Sequence, residues 1–580
     1  MLSIARLGRS RERYYLDKVA RGAEDYYTGA GEAPGHWAGG GAATLGLDAK
    51  VAEDDLSAVL GGRNPRTDEP LVPGAGTARR RVGFDLTFSA PKGVSLAGLL
   101  GPPEMSRAVS EAHAGAVADA LGYLEDTAAF ARRGSGGTTA LATSGFVAAA
   151  FVHRSSRGAD PQLHTHVLVA NLVQAPDGRW SALDAQRLYA QARTAGFIYQ
   201  ATLRARLTRS LGLGWGPVKA GMAEPAGFAT SQLRAFSTRR IQVEADLAAH
   251  GNQSAAAAQV AAHRTRAPKD RTITPESLRA AWARRAAEVG IDTETLTALC
   301  QHPRQAGLGA SKAQVIVELL GPSGLTAQDS SFDRRSLLRA IAASSPDGIC
   351  LAELYQVADE LLADPEVVAL PAAPDRATGG ARWSTAELLA IEAAILAQAE
   401  AATHAGLAQV SGEALASVLD ARPSLSSEQA AMVRHLTTSG AGIEVVVGRA
   451  GTGKTFALEA ARAAWSQVGL AVIGTALSAR AAAELGAATA MPTGTLARLL
   501  GDLERPGPEA RLAPGTVVVV DEAAMVGTRE LARLLAAAER DRAKVVLVGD
   551  PRQLPEIQAG GALAAIAARQ GAITLTENRR

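Results

Sequence analysis

Residues 145–173, GFVAAAFVHRSSRGADPQLHTHVLVANLV, contain the pattern that determines the fold of the first part of the chain. Two β-rich runs, GFVAAAFVHR and LHTHVLVANLV, flank a short polar segment, which is typical of a β-hairpin. If the runs pair antiparallel, His153 at the end of the first lies opposite the start of the second. His164 and His166 stand two residues apart there, so their side chains share one face of the strand. Three imidazoles are therefore predicted to converge on one point.

Three imidazole ligands are enough to hold a metal ion that keeps an open coordination position. A single histidine on an apolar strand is more often a core residue, but a hairpin that brings three together favours a metal site. The identity of the divalent metal stays open. Imidazole affinity favours later transition metals such as Zn²⁺ or Ni²⁺, whereas cellular abundance favours Mg²⁺ or Mn²⁺.

The sequence around the hairpin alternates strands with helices, which predicts an α/β or α+β domain over residues 1–250. Asp85 lies in the run GFDLTFSA, otherwise apolar or small. It could orient a ligand imidazole, accept a proton, or simply be a turn residue at a strand edge. The glycine-rich stretch 29–46 is predicted to be a surface loop.

Tyrosine is unevenly distributed, because seven of the 8 tyrosines precede residue 200 and four form the pairs Tyr14-Tyr15 and Tyr26-Tyr27. A tyrosine hydroxyl can attack a phosphodiester when a metal polarises the phosphate. The alternative is aromatic packing, since residues twelve apart lie on roughly the same side of a helix. The tyrosines alone would favour packing.

A second motif, GRAGTGKT at residues 448–455, matches the phosphate-binding loop G-x-x-x-x-G-K-[ST] between a strand and a helix. Its glycines, Gly448, Gly451 and Gly453, let backbone N–H groups point at a phosphate. Lys454 is predicted to reach the β- and γ-phosphates of ATP, and Thr455 to bind Mg²⁺.

Two later strands are predicted to complete this nucleotide site. The run VVVV ends in Asp521, which is expected to contact Mg²⁺, and in Glu522, which is placed to activate the attacking water. The run VVLVGD leads to Gln553, expected beside the γ-phosphate. Continuous apolar strands indicate a parallel sheet buried on both faces, so residues 416–580 are predicted to form an α/β P-loop domain. Between the two domains, residues 251–415 are predicted to be mostly helical, and they carry no legible chemistry.

Residues 415–580 resemble the first motor domain of superfamily-one, RecD-like helicases, through GRAGTGKT, GDPRQLP and LTENRR. The resemblance implies a RecA-like fold in which Gln429 recognises adenine and Arg580 contacts the γ-phosphate, with Arg579 as second choice. LTENRR is an internal motif of that family, so we expect a second RecA-like domain to be missing. ATP binding with weak or absent unwinding is the resulting expectation.

Residues 1–250 resemble the MobF-class conjugative relaxases, the TrwC/TraI-type relaxase–helicases, through the paired tyrosines, the DLTFSAPK strand and the H…HTH histidines. The resemblance implies an α+β histidine-hydrophobe-histidine fold, with an antiparallel sheet and helices, that nicks DNA at an origin of transfer through a covalent phosphotyrosine. Tyr14 would be the principal nucleophile and Tyr26 the second, with Tyr15 and Tyr27 as possible substitutes. The implied partners are origin-of-transfer DNA (a hairpin plus single strand), a coupling protein and type IV secretion machinery.

Composition excludes several other classes. The charge of +2 and the skew of 8 Lys against 52 Arg are neutral on nucleic-acid binding, and 2 Cys exclude a disulfide framework. The sequence contains no run of 18 or more apolar residues, so it predicts no membrane-spanning helix. We expect a cytoplasmic protein, with transfer to a recipient cell left open. A rolling-circle replication initiator with a fused motor, or a DNA-binding scaffold with an inactive motor, are the alternative functions.

Overall fold

The computed structural model describes residues 1–7, 35–48, 50–77, 80–134, 139–156, 158–251, 275–300, 306–308, 312–371, 380–449, 451–507, 510–550 and 559–577, with isolated positions between 252 and 265. Their contacts define two compact units, Met1–Val315 with Arg335–Glu360, and Ile316–Arg334 with Leu361–Arg580. The division at residues 250 and 415 stays a prediction. Among the helices so described, none is both long and apolar enough to cross a membrane.

The first unit contains short strands and two long helices. Its strands are β1 Leu2–Leu7, β2 His36–Ala38, β3 Gly83–Ser89, β4 Phe130–Arg133, β5 Thr139–Ala142, β6 Ala148–Ser155, β7 Pro161–Ala170, β8 Val173–Gln174 and β9 Trp180–Ser181. Its helices are α1 Gly40–Thr44, α2 Glu53–Gly61, α3 Lys92–Leu100, α4 Pro103–Ala128, α5 Ala185–Leu211, α6 Thr230–Ala235, α7 Thr238–Ala249, α8 Pro275–Glu288 and α9 Thr293–Ala298. Helices α10 Lys312–Leu320, α11 Arg334–Ala343 and α12 Leu351–Leu362 cross the sequence boundaries of the two units.

Five of these strands form one sheet in the order β1-β3-β7-β6-β2, and every neighbouring pair is antiparallel. The prediction of an antiparallel sheet with helices is confirmed. Strand alternation gives the sheet two different faces. One face packs on α4 and α5, as the ring centroids of Phe88 and Tyr199, 5.5 Å apart, illustrate. The other face carries His164 and His166, and next to them Asp85, which lies directly opposite the buried Leu168.

The prediction of a surface loop at residues 29–46 is wrong for its described part. Residues His36–Ala38 pair with β6 as an edge strand, and Gly41 and Ala42 of α1 are buried. Glycine is needed here because the backbones lie close together. A Cβ on Gly39, which has φ +89°, would lie 2.4 Å from the carbonyl oxygen of Phe146.

The second unit is built around a larger sheet. Its strands are β10 Phe332–Asp333, β11 Val367–Leu370, β12 Arg382–Thr385, β13 Ile443–Gly448, β14 Val472–Ala476, β15 Thr493–Thr495, β16 Val517–Val520, β17 Lys544–Gly549 and β18 Ile573–Leu575. Its helices are α13 Ala386–Ala401, α14 Gly412–Asp420, α15 Ser427–Thr438, α16 Lys454–Gln467, α17 Ala479–Thr489, α18 Leu496–Leu503, α19 Thr528–Arg540 and α20 Ala562–Gln570, with 3-10 turns at Ala402–His404 and Ala523–Met525.

Six strands of this unit pair in the order β15-β14-β16-β17-β13-β18, and all neighbours are parallel. The predicted parallel sheet is therefore confirmed. Alternate residues of its strands enter two hydrophobic cores: Val517 and Val519 on one face, Val518 and Val520 on the other. Burial on both faces explains the unbroken apolar runs. The carboxyl ends of β13, β16 and β17 meet at one edge, because β17 lies between the other two strands.

Candidate functional site

The hairpin of β6 and β7 brings the predicted histidines together. His153 lies directly opposite His164, and Phe151 opposite His166, in the antiparallel register. The predicted pairing is confirmed. Because His153, His164 and His166 all project from the same face, the sheet itself sets their spacing.

The three imidazoles form a compact cluster. Their ring centroids are 5.0 to 5.2 Å apart, and one ring nitrogen from each lies within 4.8 Å of the others. His153 is buried, and His164 and His166 are half-buried. This geometry fits a metal ion bound by three nitrogens with a position left for a further ligand.

Hydrogen bonds fix the orientation of two of the rings. Nδ1 of His166 lies 2.8 Å from Oδ1 of Asp85, and Nδ1 of His164 lies 2.9 Å from the carbonyl oxygen of Gln162. Both partners are acceptors, so each Nδ1 carries the proton and each Nε2 keeps its lone pair. A metal-binding histidine usually donates a hydrogen bond from the ring nitrogen that does not bind the metal.

Asp85 lies in the middle of β3, between β1 and β7, so the alternative of a strand-edge turn residue is wrong. Its carboxylate is also the acceptor for the Thr87 hydroxyl, at 3.2 Å, and that hydroxyl lies 3.1 Å from Nδ1 of His166. Sequence reasoning missed Thr87 and Gln162. Each stands two residues from a predicted site residue, so strand alternation could have pointed to both.

Burial and the neighbouring imidazoles favour the neutral form of His164. Burial, and then the neighbouring His153 and His166, hold the pKa of His164 well below its ordinary value. A neutral imidazole is the ligating form, so His164 requires little proton release before it binds a metal.

The predicted phosphate loop joins β13 to α16 as expected. Gly451 and Gly453 have φ of +90° and +75°, in the region that favours glycine, and Gly453 is the N-cap of α16. A Cβ on Gly453 would also lie 2.2 Å from Nε2 of Gln429, and one on Gly448 would lie 2.8 Å from Oγ1 of Thr452. The loop therefore depends on glycine for both conformation and space.

Lys454 folds back over the loop. Its Nζ donates to the carbonyl oxygens of Gly448 at 2.6 Å and Arg449 at 3.0 Å. Burial lowers its pKa, while the carboxylates of Asp521 and Asp550 act in the opposite direction. A positive side chain held at the mouth of a helix N-terminus can exchange these carbonyls for phosphate oxygens.

Asp521 follows β16, and burial raises its pKa, against the N–H of Glu522 and the charge of Lys454. Glu522 is exposed in the left-handed region, with φ +53°, and donates its N–H to Oδ1 of Asp521 at 2.9 Å. Thr455 is half-buried in the first turn of α16. The structure thus places Asp521, the first residue of the predicted acid pair, close enough to Lys454 for their charges to interact.

Gln429 lies at the start of α15 and closes a capping box with Ser426. Its Nε2 lies 3.3 Å from the carbonyl oxygen of Thr452 and 3.4 Å from that of Gly453. The predicted adenine-recognising residue therefore touches the phosphate loop. Seven further predicted residues lie outside the described part of the chain: Tyr14, Tyr15, Tyr26, Tyr27, Gln553, Arg579 and Arg580.

Two family models match the chain. Residues 9–289 match the TrwC relaxase family, and residues 424–580 match an AAA domain. The first match contains all three histidines and Asp85, and the second contains the phosphate loop and the acid pair.

Curated proteins and a solved structure are similar to the same regions. The chain is 32% identical over 353 residues to the multifunctional conjugation protein TraI of Escherichia coli, covering 59% of this chain and 18% of that protein. It is 37% identical over 163 residues to the ATP-dependent RecD2 DNA helicase of Deinococcus radiodurans, covering 27% of this chain and 22% of that protein. The chain thus spans about a fifth of the length of these curated relatives. A copper-bound structure of the conjugative relaxase TrwC with oriT DNA is 34% identical, with a TM-score of 0.46, covering 50% of this chain and 100% of that one.

Proposed function

Because the chain belongs to the TrwC relaxase family through residues 9–289 and continues into an AAA domain at residues 424–580, we propose that it nicks DNA at an origin of transfer. The nick forms a covalent bond between a tyrosine and the DNA. The AAA domain is the first motor domain of an ATP-dependent 5′→3′ helicase, which mobilises a plasmid or an integrative element. The observation that carries the proposal is the converging His153, His164 and His166, oriented through Asp85.

His153, His164 and His166 are the residues that hold a divalent cation, Mg²⁺ or Mn²⁺ in the cell, with Zn²⁺ and Ni²⁺ as alternatives. When bound, such an ion supplies Lewis-acid polarisation of the scissile phosphate. Asp85 and the carbonyl of Gln162 keep the protons on the Nδ1 atoms of His166 and His164, so that their Nε2 atoms would be the ones to bind the ion. Since its carboxylate binds His166, we assign Asp85 to orienting this ligand rather than to accepting a proton.

Tyr14 is the proposed first nucleophile. Its phenolic oxygen bonds to phosphorus while the bond from phosphorus to the DNA 3′ oxygen breaks, and the phenolic proton balances the one that the 3′ oxygen gains. The DNA 5′ end stays on the protein as a phosphotyrosine. Tyr26 serves the later strand-closing step, and Tyr15 and Tyr27 are the alternatives to Tyr14 and Tyr26 as the acting member of each pair.

The nucleotide site takes ATP with Mg²⁺. The amides around Gly448, Gly451 and Gly453 cradle the phosphates, and Lys454 reaches the β- and γ-phosphates. Thr455 and Asp521 hold Mg²⁺ and Glu522 activates water. Gln429 recognises adenine, and Gln553 and Arg580 sense the γ-phosphate.

The proposed DNA partner is an origin-of-transfer hairpin with its adjacent single strand. A coupling protein and type IV secretion machinery are the proposed protein partners, since relaxase-bound DNA must be delivered to the machinery that exports it. The proposed location is the cytoplasm of the donor, with passage into the recipient on the covalently bound strand.

The direct test incubates the whole chain with labelled single-stranded origin oligonucleotides and Mg²⁺ or Mn²⁺, and looks for a covalent adduct on denaturing gels. We expect an adduct in wild type and a large loss in Tyr14→Phe, with the residue identified by mass spectrometry. Lys454→Ala is the matched control, because its effect is confined to nucleotide binding. If no oligonucleotide from the element's own transfer region yields an adduct, the proposed nicking activity is wrong.

A further inference from the structure

Strand β7 begins with a bulge immediately beside the histidines. His153 pairs with His164, but the next pair is Ser155 with Pro161, so the register shifts between them. Gln162 and Leu163 therefore stand opposite one residue of β6. Bulges next to active sites re-aim side chains, and a one-residue slip would turn His164 to the other face of the sheet.

The bulge is held from one side by the segment that follows β3. Nζ of Lys92 donates to the carbonyl oxygen of Pro161 at 2.7 Å, and Nε2 of Gln162 donates to that of Ala90 at 2.8 Å. The N–H of Leu163 donates to Oγ of Ser95 at 3.0 Å. The backbone of Gln162, whose carbonyl orients His164, is therefore fixed at the bulge itself.

Asp160 holds the same bulge from the other side. It is buried, with 1% of its surface exposed, although it is charged and lies in a hairpin loop. Its carboxylate accepts from the N–H of Thr238 at 2.8 Å, from the Thr238 hydroxyl at 2.9 Å and from Nη1 of Arg285 at 3.0 Å. A buried carboxylate with three donors is stable only while all three stay in place.

The two helices that supply these donors are fixed in turn. The guanidinium of Arg285 also donates to the Thr238 hydroxyl at 3.1 Å and lies 4.9 Å from the ring centroid of Phe236. The indole N–H of Trp282 donates to the carbonyl oxygen of Ala159 at 2.7 Å. Helices α7 and α8 thus grip the loop between the two histidine strands, although neither helix contributes a ligand.

We propose that Asp160, Thr238 and Arg285 are positioning residues for the three-histidine centre. They lock the bulged start of β7, which sets the Gln162 carbonyl and, through it, the ring of His164. The inference rests on the proposed metal function and extends the working unit of the centre to residue 285, beyond the sheet that bears the histidines. It predicts that metal affinity depends on residues that never contact the ion.

The test measures binding of Co²⁺ alone to the full chain, by calorimetry and by the visible absorption of the bound ion. Asp160→Asn keeps the side-chain volume but removes the carboxylate, and Thr238→Val removes only the hydroxyl. Arg285→Lys removes the guanidinium that donates to both Asp160 and Thr238. We expect each to lower Co²⁺ affinity, by about 10- to 100-fold for Asp160→Asn, the range seen for outer supports of metal ligands. The absorption spectrum should change as well, because the geometry of His164 changes.

Asp119→Asn is the matched control. Asp119 pairs with Arg206 at 2.9 Å between α4 and α5, against the opposite face of the sheet, so the variant removes an ion pair of the same unit and should leave Co²⁺ binding unchanged. Thermal unfolding distinguishes a loss of Co²⁺ affinity from a loss of folding. If Asp160→Asn does not fold, Thr238→Val and Arg285→Lys provide the test of the positioning role. Wild-type affinity and spectrum in folded variants would overturn the inference. No Co²⁺ binding by wild type would instead overturn the proposed metal site.

Discussion

The three-histidine centre is built to bind through side chains, whereas the phosphate loop is built to bind through the backbone. At the histidines, side chains are the ligands and the sheet register positions them. At the phosphate loop, backbone N–H groups are the ligands and glycines shape them, with Gly451 and Gly453 at positive φ. Burial lowers the pKa of both His164 and Lys454. At His164 this favours the neutral form that binds a metal, whereas at Lys454 the carboxylates of Asp521 and Asp550 act in the opposite direction.

This difference determines which substitutions each site tolerates. A side-chain site fails when a ligand or its hydrogen-bond support is removed, whereas a backbone site fails when a Cβ is added. The two sites should also fail independently, since each is built within its own compact unit. The predictions below test this contrast from the largest expected effect to the smallest.

Removing a ligand should have the largest effect. We expect His164→Ala to weaken Mn²⁺ or Co²⁺ binding by more than about 100-fold, because a lost metal ligand costs several kcal/mol. Calorimetry on the full chain measures this, with ATP affinity as the internal control. A parallel loss of ATP affinity would contradict the independence of the two sites.

Lys454→Ala is the reciprocal change. We expect it to weaken ATP binding by about 10- to 100-fold, because a hydrogen bond to a charged group is worth about 1.5–3 kcal/mol. Fluorescent-nucleotide titration measures the affinity, and Co²⁺ binding should not move. Unchanged ATP affinity would remove the phosphate-loop assignment.

Adding a Cβ should damage the phosphate loop through geometry alone. In Gly453→Ala the alanine has to adopt a positive φ, which costs about 1–2 kcal/mol. Its Cβ would also lie 2.2 Å from Nε2 of Gln429. We therefore expect about a 10-fold loss of ATP affinity. Gly469→Ala is the matched control, with φ +76° and nothing within 4 Å of the added Cβ. Equal ATP affinities in the two variants would show that the contact with Gln429 is unimportant.

The smallest effect concerns pH and the face of the histidine-bearing sheet that packs on α4 and α5. His113 bonds the hydroxyls of Tyr199 and Thr165, and burial lowers its pKa to about 3. An unfolded imidazole titrates at about 6.5, so the unfolded state holds more protons between these values and the free energy of unfolding falls as pH drops through this window. We expect His113→Gln to reduce that slope by up to about 1.4 kcal/mol per pH unit, measured by urea unfolding at several pH values. Parallel curves for wild type and variant would contradict it.

Local patterns predicted most of both sites. The alternation in LHTHVLV is sufficient to place His164 and His166 on one face, and the phosphate loop is contiguous in sequence. The bulge at Gln162 and the contacts of Asp160 with Thr238 and Arg285 were not predictable in this way, because these two partners lie 78 and 125 residues from Asp160 in the sequence. The prediction of a loop at the glycines 39–41 is wrong for a related reason, since these glycines lie against the backbone of residues 144–146.

The most direct test of the central claim compares metal occupancy with covalent DNA capture. Adduct yield on an origin oligonucleotide should rise with Mn²⁺ concentration in step with calorimetric binding, and should fall sharply in both His164→Ala and Tyr14→Phe. Lys454→Ala should follow the wild-type curve. Adduct formation that persists in His164→Ala or without a divalent cation would contradict a metal-dependent tyrosine transesterification at this centre.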